Sequence, residues 1–145
     1  MKKILLIHGP NLNCLGKRDQ DQYGALTLRQ LEKMIAVHAK LFDAEVYAHQ
    51  SNHEGDLIDI LQQQSAHCNG IIINPGAFCH YSIALHDALL DTGLPAVEVH
   101  LSDITKREVF RRKSLTAQAC LKMICGKKEK GYEEAVNFLI RQGSN

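Results

Sequence analysis

The sequence has no tryptophan and no apolar run approaching the roughly 20 residues that a membrane-spanning helix needs. The apolar run that follows the two N-terminal lysines covers only residues 4–7. The apolar part of a secretory signal peptide is longer, at about 7–15 residues. We therefore expect no membrane partner and predict a cytoplasmic protein.

An excess of charge of one sign is also lacking. The 17 basic and 16 acidic residues leave a formal net charge of +1 at pH 7. Nucleic-acid binding usually needs a basic patch. The densest basic cluster (Lys127, Lys128 and Lys130) contains Glu129 and no aromatic residue, so it predicts a solvated turn. We expect no nucleic-acid partner.

Nucleotide-binding motifs are absent as well. The segment after the first apolar run, GPNLNCLG, matches neither GxGxxG nor GxxxxGK[ST], which argues against dinucleotides and nucleoside triphosphates. Pro10, Asn11 and Asn13 stand where FMN would need a phosphate-binding loop rich in Ser, Thr and Gly. The five cysteines form no CxxC pair, so we expect free thiols.

Two other chemistries stay open at this point. His80, His86, Glu98 and His100 could approach one another and hold a metal, although the sequence has no HExxH or Cys/His zinc spacing. Cys79 beside His80 could act as a nucleophile, although adjacent residues at a strand exit are expected to point apart.

What the sequence does contain is short apolar runs that alternate with segments of helical periodicity. This pattern is typical of βαβ units and a parallel sheet. The length fits one domain, residues 1–145. We predict strands over residues 3–8, 45–50, 70–74, 96–100 and 119–125, and helices over 27–42, 55–64, 82–92 and 132–141. The fold class is therefore α/β, a flavodoxin-like three-layer sandwich with strand order 2-1-3-4-5.

Polar segments follow four of these strands, at the edge where open parallel sheets bind ligands. The first, residues 9–26, is far longer than the usual βα connection of about 2–6 residues. Its part at about 16–25 carries Arg18 and Tyr23 between glycines and is predicted to be a lid. A cation and a phenol on a lid favour an enzyme. A binding protein without catalysis is the alternative.

The polar segments together resemble type II 3-dehydroquinate dehydratases. The shared motifs are GPNLN, the Gly-x-Arg…Tyr-Gly lid, SNHEG, NPGAFCHYSIALHDA, EVHLS and REVFR, in the family's order and spacing. The resemblance implies conversion of 3-dehydroquinate into 3-dehydroshikimate in the shikimate pathway of aromatic amino acid biosynthesis. It also implies no metal, no organic cofactor, and a homododecamer built from trimers.

The resemblance assigns catalytic roles to five residues. Tyr23 is the proton acceptor, and Arg18 favours its phenolate and stabilises developing negative charge. His100 is the proton donor, since an imidazole with its ordinary pKa of about 6.5 suits donation at neutral pH. Glu98, two residues earlier on the same strand, orients it. Asn11 orients a water molecule or the enolate.

The resemblance also assigns substrate binding to the remaining polar segments. Leu101 and Ser102 match the segment that grips the substrate carboxylate, and Asn74, His80, Asp87 and Arg111 match the residues that hold its hydroxyls and ring. Asp87 corresponds to a residue that family members contribute from a neighbouring subunit.

The sequence departs from the family pattern at several positions. Cys14 replaces an aliphatic residue, Cys79 a threonine, His86 an arginine and Asp103 an asparagine, and GKKEKGY is more charged than usual. The His86 and Asp103 departures put the subunit contact and the carboxylate-binding loop in doubt.

Overall fold

The centre of the fold is a parallel sheet of five strands. A computed structural model describes residues 2–142, so residues 1 and 143–145 of the expected domain lie outside the described part. The strands are β1 (Lys2–His8), β2 (Ala44–Gln50), β3 (Gly70–Asn74), β4 (Ala96–His100) and β5 (Lys122–Cys125). They pair in the order β2-β1-β3-β4-β5, which confirms the predicted topology.

Helices cover both faces of this sheet. They are α2 (Leu28–Lys40), α3 (Glu54–Gln64), α4 (Ile83–Asp91) and α5 (Lys130–Gln142), and a further short helix, α1 (Gln20–Tyr23), lies in the segment between β1 and α2. Alternation along β1 sends Ile4 and Leu6 into a core with α2 and α5, and Leu5 and Ile7 into a second core with α3 and α4. The result is the predicted three-layer sandwich. None of the described helices is both long and apolar enough to cross a bilayer.

The first long helix begins where the sequence indicates. The Thr27 side chain accepts a hydrogen bond from the backbone of Gln30, and the Gln30 side chain accepts one from the backbone of Thr27, which is a complete capping box. The helix ends at Lys40, so Phe42 lies beyond it and is exposed. His38 is half-buried at the edge of the core and its Nε2 lies 2.9 Å from Oδ1 of Asn137.

The largest differences from the sequence prediction concern two elements. The last strand begins at Lys122 rather than at 119, because Thr116–Ala119 form a 3₁₀ turn that keeps Thr116 buried. The short helix α1 inside the lid segment was not predicted. Asp19 caps it by accepting a hydrogen bond from the backbone of Asp21, a local arrangement that aspartate favours at a helix start.

Candidate active site

A cavity of about 190 Å³ opens at the carboxyl edge of the sheet. Nine of the residues predicted from the sequence line it. They are Asn11, Arg18, Tyr23, Asn74, His80, His100, Leu101, Ser102 and Arg111. Segments that follow β1, β3 and β4 therefore meet at one point, as expected for an open parallel sheet.

The segments that follow β1 and β3 form the floor of this cavity. They pack closely against each other at two glycines. A Cβ atom on Gly9 would lie 2.4 Å from the carbonyl oxygen of Pro75. Gly76 has φ +58°, and a Cβ atom there would lie 3.1 Å from Pro10. The Gly9 N–H donates to the Asn74 carbonyl at 2.7 Å. The GPN and NPG motifs thus reflect a close approach that only glycine permits.

This close packing also positions Asn11 at the mouth of the cavity. Asn11 has φ 70°, a left-handed conformation that asparagine tolerates better than most residues. Its N–H donates to Oδ1 of Asn52 at 2.9 Å, and Asn52 belongs to the SNHEG motif after β2. The second motif therefore contributes by holding the first one in place.

Two guanidinium groups contact Tyr23. The Cζ atom of Arg18 lies 3.8 Å from the ring centroid, over the ring face. The hydroxyl instead accepts a hydrogen bond of 2.8 Å from Nη1 of Arg107. Arg107 is itself held by its carbonyl, which accepts from Nε of Arg112 at 2.8 Å. The Tyr23 side chain is therefore held between two positively charged groups, one over the ring face and one at the hydroxyl.

Arg107 is a cavity-lining residue that sequence reasoning missed. It lies in the REVFR motif, but its approach to Tyr23 joins residues 84 positions apart. Its Nη1 also reaches Oγ of Ser102 at 3.4 Å. Arg107 therefore links the lid to the segment predicted to bind the substrate carboxylate.

His100 is held from behind by a buried carboxylate. Its Nε2 lies 2.7 Å from Oε2 of Glu98, and Glu98 is fully buried. The same carboxylate accepts hydrogen bonds from the hydroxyls of Ser114, at 2.5 Å, and Thr116. Glu98 thus lies behind the cavity wall and fixes the orientation of the His100 ring that lines the cavity.

The environment of Cys79 corrects one expectation. Cys79 and His80 do not point apart, because they lie in a 3₁₀ turn (Gly76–His80), and Sγ is 3.4 Å from Nδ1 of His80. That nitrogen also lies 2.8 Å from the Lys113 carbonyl. Burial raises the pKa of the Cys79 thiol to about 12, so the thiol stays neutral at physiological pH and does not supply an activated nucleophile.

The four residues considered for a metal do not come together. His80 and His100 line the cavity, whereas His86 lies on α4. Among residues 2–142, the group with suitable ligand atoms within 4.8 Å of one another is Cys79, Glu98 and His100. Both Glu98 oxygens already accept hydrogen bonds from neutral hydroxyls.

Asp87 is the one predicted binding residue that the fold keeps away from this cavity. Its side chain is 63% exposed on α4, and Nδ1 of His86 lies 3.0 Å from its carboxylate. Asp103 also points elsewhere, since its carboxylate accepts from the Thr105 backbone and from Sγ of Cys125. The hydrogen bond from Thr105 lowers the pKa of Asp103. The negative charge of Asp103 therefore does not line the predicted carboxylate-binding site.

Known proteins are similar to this chain in both fold and sequence. The family model for class II dehydroquinases matches residues 2–140. A 3-dehydroquinate dehydratase of Clostridium botulinum is 48% identical over 140 residues, covering 97% of this chain and 95% of the relative. One from Carboxydothermus hydrogenoformans is 51% identical over 124 residues, covering 86% and 80%. The crystal structure of a type II dehydroquinase from Butyrivibrio crossotus has a TM-score of 0.92 at 44% identity, covering 95% of this chain and 97% of its own.

A flavodoxin-like sandwich with titratable side chains gathered at the carboxyl edge of its sheet is the architecture of a small-molecule enzyme. The chain belongs to the class II dehydroquinase family, whose model spans nearly all of it. Membership makes the protein a hydro-lyase of the type II 3-dehydroquinate dehydratase class.

Proposed function

We propose that this protein removes water from 3-dehydroquinate to give 3-dehydroshikimate through an enolate, as a step of the shikimate pathway toward aromatic amino acids. The observation that carries the proposal is one cavity lined by the Arg107-bonded Tyr23 hydroxyl and by His100 held on Glu98. A base and an acid on one small cavity fit an elimination in which one proton leaves carbon and another joins the departing hydroxyl.

Tyr23 takes the proton next to the ketone. A phenol with its ordinary pKa of about 10 is mostly neutral at pH 7, so it needs positive charge beside it to act as a phenolate. Arg107 bonds its hydroxyl and Arg18 covers its ring. The C–H bond breaks, its proton passes to the Tyr23 oxygen, and the electron pair forms the enolate. Arg18 then faces the negative charge that develops on the substrate.

Asn11 and His100 complete the elimination. Asn11 orients a water molecule or the enolate oxygen from the cavity mouth. His100 gives its proton to the hydroxyl, which leaves as water while the enolate collapses to the conjugated enone. Glu98 orients the imidazole from behind. Because Ser114 and Thr116 also donate to Glu98, the carboxylate does not have to move during the reaction.

The rest of the cavity binds the substrate. Backbone N–H groups of Leu101 and Ser102 and the Ser102 hydroxyl bind its carboxylate, and Asn74, His80 and Arg111 hold its hydroxyls and ring. Residues 16–25 act as the lid, and residues 1–145 form a single catalytic domain in the cytoplasm.

Asp87 completes the site of a neighbouring subunit in a dodecamer built from trimers. Its side chain does not line the cavity of its own chain and is 63% exposed. Exposed apolar side chains flank it on α4, with Ile83 66% and Leu90 54% exposed, which supports a subunit contact there. Gel filtration of active enzyme should give a mass several times that of the chain. Full activity in a species of about 16.2 kDa would contradict the assembly.

The test of the proposed activity is ultraviolet absorbance of the purified protein mixed with 3-dehydroquinate and a metal chelator. The product is a conjugated enone carboxylate, so turnover appears as a rising signal. We expect a rise that survives the chelator. A folded protein that gives no rise would overturn the proposed function, and a rise lost with the chelator would overturn the metal-free mechanism.

A further inference from the structure

The side chain of Tyr132 lies behind the cavity and has no role in the function proposed above. Tyr132 is fully buried on α5, and its hydroxyl lies 3.1 Å from Nδ2 of Asn74 at the end of β3. Asn74 lines the cavity and is proposed to bind the substrate. Tyr132 is therefore the contact through which α5 reaches a substrate-binding group.

The partners of Asn74 settle which way its amide faces. The N–H of Gly76 lies 3.1 Å from one end of the amide. A backbone N–H can only donate, so this end must be the oxygen Oδ1. The nitrogen Nδ2 then faces Tyr132, and the phenol oxygen accepts one of its two N–H bonds. The second N–H of Nδ2 is left for the cavity.

Without the phenol oxygen of Tyr132, the hydrogen bond that holds Nδ2 of Asn74 is lost. The hydrogen bond from the Gly76 N–H would still hold Oδ1. The amide group could then pivot around Oδ1, and no acceptor would fix the position of Nδ2. A buried N–H group without an acceptor is costly, so the amide would turn toward any other acceptor, including water in the cavity. The donor meant for the substrate would then be misplaced.

Tyr132 is itself held rigidly enough to serve as a fixed point. Its ring packs in the core between the sheet and α5, together with Leu6, Ile72 and Val99. The preceding Gly131 lets the helix approach the sheet closely, since a Cβ atom there would lie 3.2 Å from Val99 and 3.3 Å from Ile124. Gly131 thus lets α5 pack close to the sheet, and Tyr132 places its hydroxyl at the end of β3.

We propose that Tyr132 is a positioning residue that fixes the Asn74 amide with its nitrogen toward the substrate. This inference rests on the proposed function of Asn74 in substrate binding. Because Asn74 would contact the substrate before and during the reaction, its misplacement should weaken binding rather than slow the chemical step.

The test is a double-mutant cycle of Tyr132→Phe and Asn74→Ala. We expect Tyr132→Phe to raise KM about 5- to 10-fold, the factor that one ordinary hydrogen bond supplies, with kcat within about 2-fold of the parent. In the Asn74→Ala background, Tyr132→Phe should change KM no further. An unchanged KM in Tyr132→Phe, or an equal rise with and without Asn74, would overturn the proposal. The matched control is Asn137→Ala on the same helix, which loses the bond to His38 far from the cavity and should leave KM unchanged.

A second readout needs no turnover and separates this inference from the proposed function. In the NMR spectrum, the side-chain NH₂ signals of Asn74, assigned from their loss in Asn74→Ala, should exchange slowly with solvent in the parent and fast in Tyr132→Phe. Equal exchange in both proteins would overturn the positioning role. If the parent does not dehydrate 3-dehydroquinate but the exchange changes as expected, the proposed function fails and the fixing of the amide stands.

Discussion

Two buried histidines end two strands of the same sheet, and only one of them lines the cavity. His8 is the last residue of β1 and His100 the last residue of β4. His8 is fully buried and His100 is 6% exposed. From burial and strand position alone, the two residues are nearly equivalent.

Their carboxylate partners make the difference. His100 meets the buried Glu98 at 2.7 Å with hydrogen-bond geometry, and two hydroxyls hold that carboxylate. His8 lies 3.3 Å from Glu32, whose side chain is 34% exposed on α2. Neither ring nitrogen of His8 has a hydrogen-bond partner among the described residues. The two histidines therefore differ in whether a fixed carboxylate holds the ring against a cavity, and burial does not distinguish them.

The largest expected effect comes from the histidine on the cavity. His100→Asn removes the proposed proton donor, so we expect kcat with 3-dehydroquinate to fall about 10²- to 10⁴-fold, the range typical of a lost general acid. The measurement is the initial rate of enone absorbance at saturating substrate. A kcat within 10-fold of the parent would remove His100 from the mechanism.

A smaller loss should follow from weakening the partner of His100. Glu98→Gln removes the negative charge and keeps the shape, so we expect kcat to fall about 10- to 100-fold, the factor for one charged hydrogen bond. The measurement is kcat with 3-dehydroquinate at saturating substrate. A kcat within about 2-fold of the parent would show that Glu98 acts only in packing.

His8 should behave in the opposite way. His8→Leu replaces an unsatisfied buried ring with an apolar side chain of similar size, so we expect kcat within about 3-fold of the parent. We also expect a free energy of unfolding equal to the parent's or about 1 kcal/mol higher. Urea denaturation gives this value. A loss above about 2 kcal/mol would show that the contact with Glu32 stabilises the fold.

The smallest expected effect concerns Cys79, which is buried near Glu98 behind the cavity. It can be measured on the parent protein without a substitution. Burial raises the pKa of Cys79 to about 12, with the charge of Glu98 acting in the same direction. Below that pH the thiol stays protonated, so Cys79 should resist iodoacetamide at pH 8 in the folded protein. The exposed Cys14 is the internal control. Mass spectrometry that finds both thiols modified at equal rates would show that solvent reaches Cys79.

The same contrast shows what the sequence predicts and what it does not. The apolar runs predict the strands, because buried parallel strands need apolar side chains on both faces. Glu98 and His100 are predictable as a pair from their spacing of two on one strand. The contact of Arg107 with Tyr23 and that of Asn74 with Tyr132 join residues 84 and 58 positions apart. No local pattern encodes them, since they depend on how α5 and the segment after β4 pack on the sheet.

The central claim is that the Tyr23 hydroxyl, bonded by Arg107, takes the proton from the substrate. Tyr23→Phe removes that oxygen and leaves the ring face available to Arg18. The most direct measurement pairs single-turnover absorbance with calorimetric binding of 3-dehydroquinate to this variant. We predict that turnover falls by at least about 10³-fold, in the range for a lost general base, while the dissociation constant changes only a few-fold. Turnover close to that of the parent would contradict the assignment of Tyr23 as the base.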